Sequence, residues 1–498
     1  PHLPLMEFSP PARLIRHLPF ASPSSAHHGL PHGLDVRFSL NLLTSSSYDA
    51  LTLSVPLDHS NPNDRRRHTI RYWVDDEYWS GRLDAPILLN VPGESAQSGP
   101  APLPPWLRSR GGLALSLEHR FFGASVPTSD TTVASLRFLT VEQSLSDLVA
   151  LVTHVKAERR LTGDVIAYGC SYPGALGAWL RTRHPQAVAA AVAASAPVEA
   201  RVRFNGLDRS VGLALHRHSP RCLQKVQEAM ERLDAPASMR RVKEILSMAS
   251  DAALPQGDFD LRYMLADTVA NAVQTGNKAS LCSRLEGMEP LSLTAEQLAE
   301  KWAEAAGIGG ERSFQQAYDS ELLRDTAINS TVKDNRLWTW LQCAQLGYLQ
   351  ATNAVDPDLP SNMTARSKRL TVDAFLANCE YLFPGAELHA AKTADEFNAK
   401  FGGAALAAPG LSNILYLKYA DDPWWALQPS HATPSVQVSL AADAHCAHCG
   451  MGCSEDFMST TEAALQRFVF SANSTVRLTS GAEAGSAQPA AGALQPAV

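Results

Sequence analysis

Over 498 residues the sequence has no apolar run approaching the roughly 18 residues of a spanning helix, so no membrane span is expected. It has little net charge. The 43 Lys and Arg set against 50 Asp and Glu leave a formal −7, which is no footprint for nucleic acid or an anionic membrane surface. With 30 glycines and 32 prolines there is no excess of either, and neither a fibrous period nor an internal repeat is visible. Charged residues make up only 19% against 45% apolar, which excludes wholesale disorder and allows two or three domains with sizeable cores. An initiating Met and a signal peptide are also missing. The chain opens Pro1-His2-Leu3, so a trimmed or truncated start is expected.

What is present begins with cysteine, at positions 170, 222, 282, 343, 379, 446, 449 and 453. Their even number, with glycosylation sequons at Asn329, Asn362 and Asn473, favours the secretory route and a lysosomal, vacuolar or extracellular destination. The cluster His445-Cys446-Ala447-His448-Cys449-Gly450-Met451-Gly452-Cys453 has metal-like spacing. In an oxidising compartment disulfides suit it better, so no metal or cofactor is expected. The pairing cannot be deduced from spacing.

Along the chain, residues 1–40 are a Pro-, His- and Ser-rich leader without periodicity. Short alternating runs come next over 51–79, then buried-strand patterns at Ile87–Val91 and Leu113–Leu117. In 141–158, Leu145, Leu148, Val149, Val152 and Val155 line one helical face. Val165–Tyr168 reads as a strand, Ala175–His184 as a helix, and Val188–Ala194 as the next strand. Strands alternating with helices imply an α/β fold with a mostly parallel sheet covered on both faces. Residues 200–405 are dominated instead by helical patterns (224–249, 295–306, 338–349), as a large inserted helical cap would be. Strand patterns return at 413–417 and 436–440, and a last helix at 457–470. The expected division is thus a first core segment 41–199, a cap 200–405, a second core segment 406–472 and a disordered tail 473–498.

The chemistry concentrates at Gly169-Cys170-Ser171-Tyr172-Pro173-Gly174. A serine on a tight turn between a buried strand and a helix presents its hydroxyl above the sheet, and the N–H groups after it can cradle an oxyanion. Pro173 is tolerated because the first helical turn has no intrahelical partner for its N–H. Ser171 could equally cap the helix without any chemistry. Serine needs a base, and the base an orienting carboxylate. Both occur later in the chain in the order acid, then histidine, each after a strand: Asp421 or Asp422, then His445 or His448.

These residues resemble the proline-specific serine peptidases that include lysosomal Pro-X carboxypeptidase, dipeptidyl peptidase II and thymus-specific serine protease. The likeness covers the Ser171 turn with Ala194-Ser195-Ala196-Pro197-Val198, the block Leu57-Asp58-His59-Ser60-Asn61 and the run Arg71–Trp79. It continues through Glu118-His119-Arg120-Phe121-Phe122-Gly123-Ala124-Ser125, Leu136–Gln143, Asp422-Pro423-Trp424 and Ala444-His445-Cys446. The resemblance implies an α/β-hydrolase core with an inserted helical domain. It also implies Ser171 as nucleophile, Asp422 as orienting acid and His445 as base. Oxyanion donors would come from Tyr172 and Gly93, and substrate contacts from Glu94 and Trp424. It departs at Gln345 and Ser95, where the family has Glu and Gly. The activity implied is that of a serine exopeptidase cutting short peptides next to proline, as carboxypeptidase or dipeptidyl peptidase. An esterase or lipase on the same fold, or a silent binding protein, are the alternatives; the lipase-type His-Gly-Gly-Gly loop is missing. The partner implied is a peptide substrate, with homodimerisation left open.

Overall fold

The computed structural model describes residues 49–470 except 102, 236–238, 247–254, 307–315, 357–360, 387–389, 452 and 454–456. The expected leader therefore lies wholly, and the tail wholly, outside the described residues. Among the described residues there are ten strands: β1 (Leu51–Pro56), β2 (Arg67–Asp75), β3 (Ile87–Asn90), β4 (Leu113–Leu117), β5 (Val165–Cys170), β6 (Ala190–Ala194), β7 (Arg201–Arg203), β8 (Gly347–Leu349), β9 (Ile414–Lys418) and β10 (Val436–Leu440). Eight form one sheet, in the order β1-β2-β4-β3-β5-β6-β9-β10, and β7 and β8 form a separate parallel pair. In the large sheet the β1–β2 and β2–β4 pairings are antiparallel and the rest are parallel. This is the α/β-hydrolase sheet.

The sequence explains which strands are central. β3, β4 and β6 bury every residue, as apolar strands covered on both faces must. β1, with Thr52 and Ser54 exposed and Leu53 and Val55 turned inward, alternates as an edge strand. The helix Val141–Arg159 starts on Thr140, whose hydroxyl accepts from the Gln143 N–H at 3.3 Å, and ends with Arg160 in the left-handed region at φ 56°.

The family-like blocks around 57–61 and 118–125 hold this half of the core together. Arg120 donates to both carboxylate oxygens of Asp147, at 2.7 and 2.8 Å, and His59 Nε2 lies 2.8 Å from the same group. Burial alone would raise the Asp147 pKa, but the Arg120 charge and hydrogen bonds outweigh it and hold it below the usual carboxylate range. Glu118 accepts from Arg71, from Ser125 at 2.6 Å and from the Gln97 N–H at 3.1 Å.

Between β6 and β9 the chain leaves the sheet and forms helices from Gly206 to Phe401, interrupted by β8. Two helical expectations there are corrected. Residues 224–249 are not one helix: Pro220–Leu233 ends before a second, Met239–Ile245. The expected helix 338–349 instead finishes at Leu341, widens into a π turn over Gln342–Leu346, and becomes β8.

Candidate active site

Ser171 comes directly after β5 and precedes the helix Tyr172–Arg183. Its backbone sits at φ 62° and ψ −136°, a region sparsely populated by residues with a side chain and costing roughly 1–3 kcal/mol. The turn closes because its neighbours are small: a Cβ on Gly169 would lie 2.5 Å from the Pro173 carbonyl group. The Ser171 side chain makes no capping bond to the helix it precedes, so the plain helix-cap role does not describe it.

The carboxylate comes from the loop after β9. Asp422 is fully buried and accepts from the Trp424 N–H at 2.9 Å and from Gln428 Nε2. Its Oδ1 also accepts from Nδ1 of His448 at 2.6 Å, and His448 is fully buried as well. A carboxylate can only accept here, so Nδ1 carries the proton and Nε2 presents its lone pair; Nε2 has no hydrogen-bond partner among the described residues. The expectation that His445 meets Asp422 is therefore corrected. The His445 side chain is 54% exposed and its Nδ1 lies 3.7 Å from Asp421 instead. Asp421 pairs instead with Lys278 and Arg217, from the helices between β6 and β9.

The cysteine after each histidine decides which of the two turns inward. Cys449 is disulfide-bonded to Cys170, with Cα atoms 5.9 Å apart, so the residue before Ser171 is tied to the residue after His448. The Cys449 N–H also donates to Ser195 Oγ at 2.7 Å, at the end of β6. Cys446 pairs locally with Cys453, which leaves His445 on the outer side of the loop. Cys222–Cys282 and Cys343–Cys379 complete the set, and all eight sulfurs are covalently paired. Paired sulfur is no thiolate, so the metal-like spacing of 446–453 offers no cysteine ligands. Sequence reasoning missed Ser195 and Gln428 as supports. The signal for His448 was available, because Ala-His-Cys occurs twice, at 444–446 and 447–449.

The surroundings fit oxyanion chemistry. A Cβ on Gly93 would touch Pro173 at 3.3 Å, so the Pro92-Gly93-Glu94 turn lies against the serine turn. Glu94 is partly buried; burial raises its pKa, and a backbone hydrogen bond opposes the rise. Burial pushes the Tyr172 hydroxyl well up, and the Glu94 charge adds to it. Glu94 lies within electrostatic reach of both Tyr172 and His448. The Tyr172 ring faces Trp338 at 5.3 Å, and Trp424 packs against Phe204 at 5.3 Å and Tyr348 at 5.5 Å. Trp424 is 7% exposed and donates from its ring nitrogen to Gln274 at 2.9 Å.

Residues 55–464 match the family described as serine carboxypeptidase S28. The chain belongs to that family. As an S28 member it is a serine-type peptidase. It is 28% identical over 433 residues to the thymus-specific serine protease of Homo sapiens, covering 78% of this chain and 79% of that protein. It is 27% identical over 241 residues to the lysosomal Pro-X carboxypeptidase of Homo sapiens, covering 44% and 47%. Among solved structures it aligns with a proline iminopeptidase from Mycobacterium smegmatis at TM-score 0.31 and 12% identity, over 80% of this chain and 92% of that one. No helix among the described residues is long and apolar enough to cross a membrane. The paired cysteines are consistent with the secretory route. Of the sequons, Asn329 and Asn362 lie among the described residues, Asn329 exposed, and Asn473 lies outside them.

Proposed function

We propose that this S28 peptidase is an exopeptidase that cuts short peptides next to proline, with Ser171 as nucleophile, His448 as base and Asp422 as the carboxylate that orients it. The observation that carries this reading is the His448–Asp422 hydrogen bond, tied to the serine turn by the Cys170–Cys449 bridge. His448 Nε2 takes the Ser171 proton as the oxygen attacks the scissile carbonyl. The Tyr172 and Gly93 N–H groups receive the oxyanion, and the leaving amine takes the proton from His448. Water then hydrolyses the acyl-enzyme by the same relay. Asp422 holds the Nδ1–H tautomer throughout and stays ionised.

Preference for proline is supported by the name of the Pro-X carboxypeptidase relative and by the aromatic surfaces beside the site. The rings of Tyr172, Trp338, Tyr348 and Trp424 offer flat faces for a pyrrolidine ring. The helices inserted between β6 and β9 would act as a cap that admits chain ends rather than folded protein. A fluorophosphonate probe is expected to label the wild type and not Ser171→Ala, and peptides with proline beside the scissile bond should be cut faster than simple acyl esters. Equal labelling of the Ser171→Ala variant, or an ester preference, would overturn the reading.

A further inference from the structure

A cavity of 90 Å³ lies among the inserted helices, bounded by Pro255–Gln274, Lys333–Leu341 and Val372–Leu382. On this measure a water needs about 10–15 Å³, so the space takes an amino-acid residue rather than a single solvent molecule. Trp338, Tyr348 and Trp424 are among its lining rings; Trp338 faces Tyr172, the residue after Ser171, and Tyr348 packs on Trp424 of the Asp422 loop. Two of its lining residues are carboxylic acids, Asp260 and Asp267, and no Lys, Arg or His is among them. Arg366, the cation whose charge reaches the lining tyrosines, is not itself a lining residue; it donates to the backbone carbonyl of Gln350 and lies 3.7 Å from Asp208.

A separate observation points to a missing donor. Gln350 lines the cavity, is only 6% exposed, and its side-chain oxygen has no hydrogen-bond partner among the described residues. A buried orphan acceptor costs about 1–3 kcal/mol unless a ligand supplies the hydrogen. Asp260 accepts from the Ser320 N–H at 2.9 Å and Oγ at 2.5 Å, and Asp267 accepts from the Tyr318 hydroxyl; both carboxylates keep acceptor capacity beyond these bonds. The cavity therefore presents acceptors and negative charge inside an aromatic wall, with no cation of its own among the described residues.

We infer that this cavity receives the free α-ammonium group of a peptide substrate, with Asp267 as its principal partner, so that the enzyme releases short peptides from the amino end. The inference rests on the Ser171–His448–Asp422 reading and extends it to direction. Helix geometry sets the length. Gln274 marks the level of Trp424, and Asp267 lies seven residues earlier on the same helix, about 10 Å along its axis. An extended chain covers that distance with about three residues. A substrate whose first residue enters the cavity, with the next one or two leading out past Trp424, would bring a following carbonyl toward Ser171. Burial raises the Asp260 pKa to about 7, so the field drawing a cation in grows as pH rises toward neutrality.

The test uses one proline-containing peptide in four forms, with free or acetylated amino end and free or amidated carboxyl end, and mass spectrometry of the products. Acetylation should lower kcat/KM by roughly 10- to 100-fold, the range for a lost charge-assisted hydrogen bond, while amidation should change it little. Asp267→Asn should raise KM for the free-amine peptide more than it lowers kcat and should shrink the penalty for acetylation. Fluorophosphonate labelling of Asp267→Asn at the wild-type rate would show that the variant is folded; if it does not fold, the four-peptide comparison on wild type decides. Acetylated peptide cut as well as free, or cleavage lost on amidation, would overturn the amino-end assignment and leave the serine chemistry standing. Absence of both labelling and hydrolysis would remove the reading beneath it.

Discussion

At the scale of single residues the decisive contrast is between two histidines three positions apart. His448 is fully buried against Asp422, whereas His445 is mostly exposed beside Asp421. Alanine at 448 should lower kcat by about 10⁴-fold or more, as loss of a triad base does, with KM little changed. Alanine at 445 should leave kcat within about twofold, the scale of a surface substitution. Steady-state kinetics on one peptide separates the two, and the reverse ranking would return the base to His445. Ser171 was legible in the sequence because its signal is local: a buried strand, small residues and a helix start within ten positions. Asp422 was legible because Pro423 and Trp424 come directly after it. The histidine was not, because two identical Ala-His-Cys triplets compete and the choice depends on contacts made across the fold. Cys170 and Ser195 make that choice, and neither is close to it in sequence.

At the scale of elements, β3 to β6 and β9 were readable because continuous apolar runs bounded by turns have few other uses. The inserted helices were readable as a region but not in their breaks. Pro236 stands inside the expected helix 224–249, where a proline removes a donor and disfavours helix at the residue before it. The run 338–349 is apolar enough for a helix, but Gly347 adopts φ 72° and turns the chain into β8. How these helices are fastened to the sheet was not legible at all. Asp421, fully buried on the loop after β9, is gripped by Arg217 from the helix Gly206–His218 and by Lys278 from Lys278–Leu285. Asp421→Asn should leave the buried Lys278 ammonium without its carboxylate, facing the His445 carbonyl at 3.4 Å. A loss of about 3–5 kcal/mol is expected, read as a lower urea midpoint. An unchanged midpoint would mean that this triad does not fasten the two parts.

At the scale of the whole molecule, pH acts through buried imidazoles. Burial pushes both His68 and His119 down to about 4, and neither ring nitrogen of His68 has a hydrogen-bond partner among the described residues. The unfolded chain holds these protons from about pH 6.5 downward and the folded one does not. Their contribution is complete above pH 6.5 and is lost as pH falls toward 4, by up to about 3 kcal/mol each. Asp260 acts in the opposite sense, since its raised pKa makes the fold less stable as pH climbs from about 4 to 7. Thermal melts from pH 7.5 to 4.5 should therefore show His68→Leu losing less stability on acidification than wild type; parallel curves would remove His68 from the account. The sheet has a further consequence during synthesis. β6 pairs with β9, and some 220 residues separate them. At roughly 5–20 residues per second, a nascent chain carries the bare flank of β6 for about ten to forty seconds before its partner leaves the ribosome. An unpaired apolar strand held that long is a natural client for chaperones, and slow translation across the insertion would lengthen the interval in which it can aggregate.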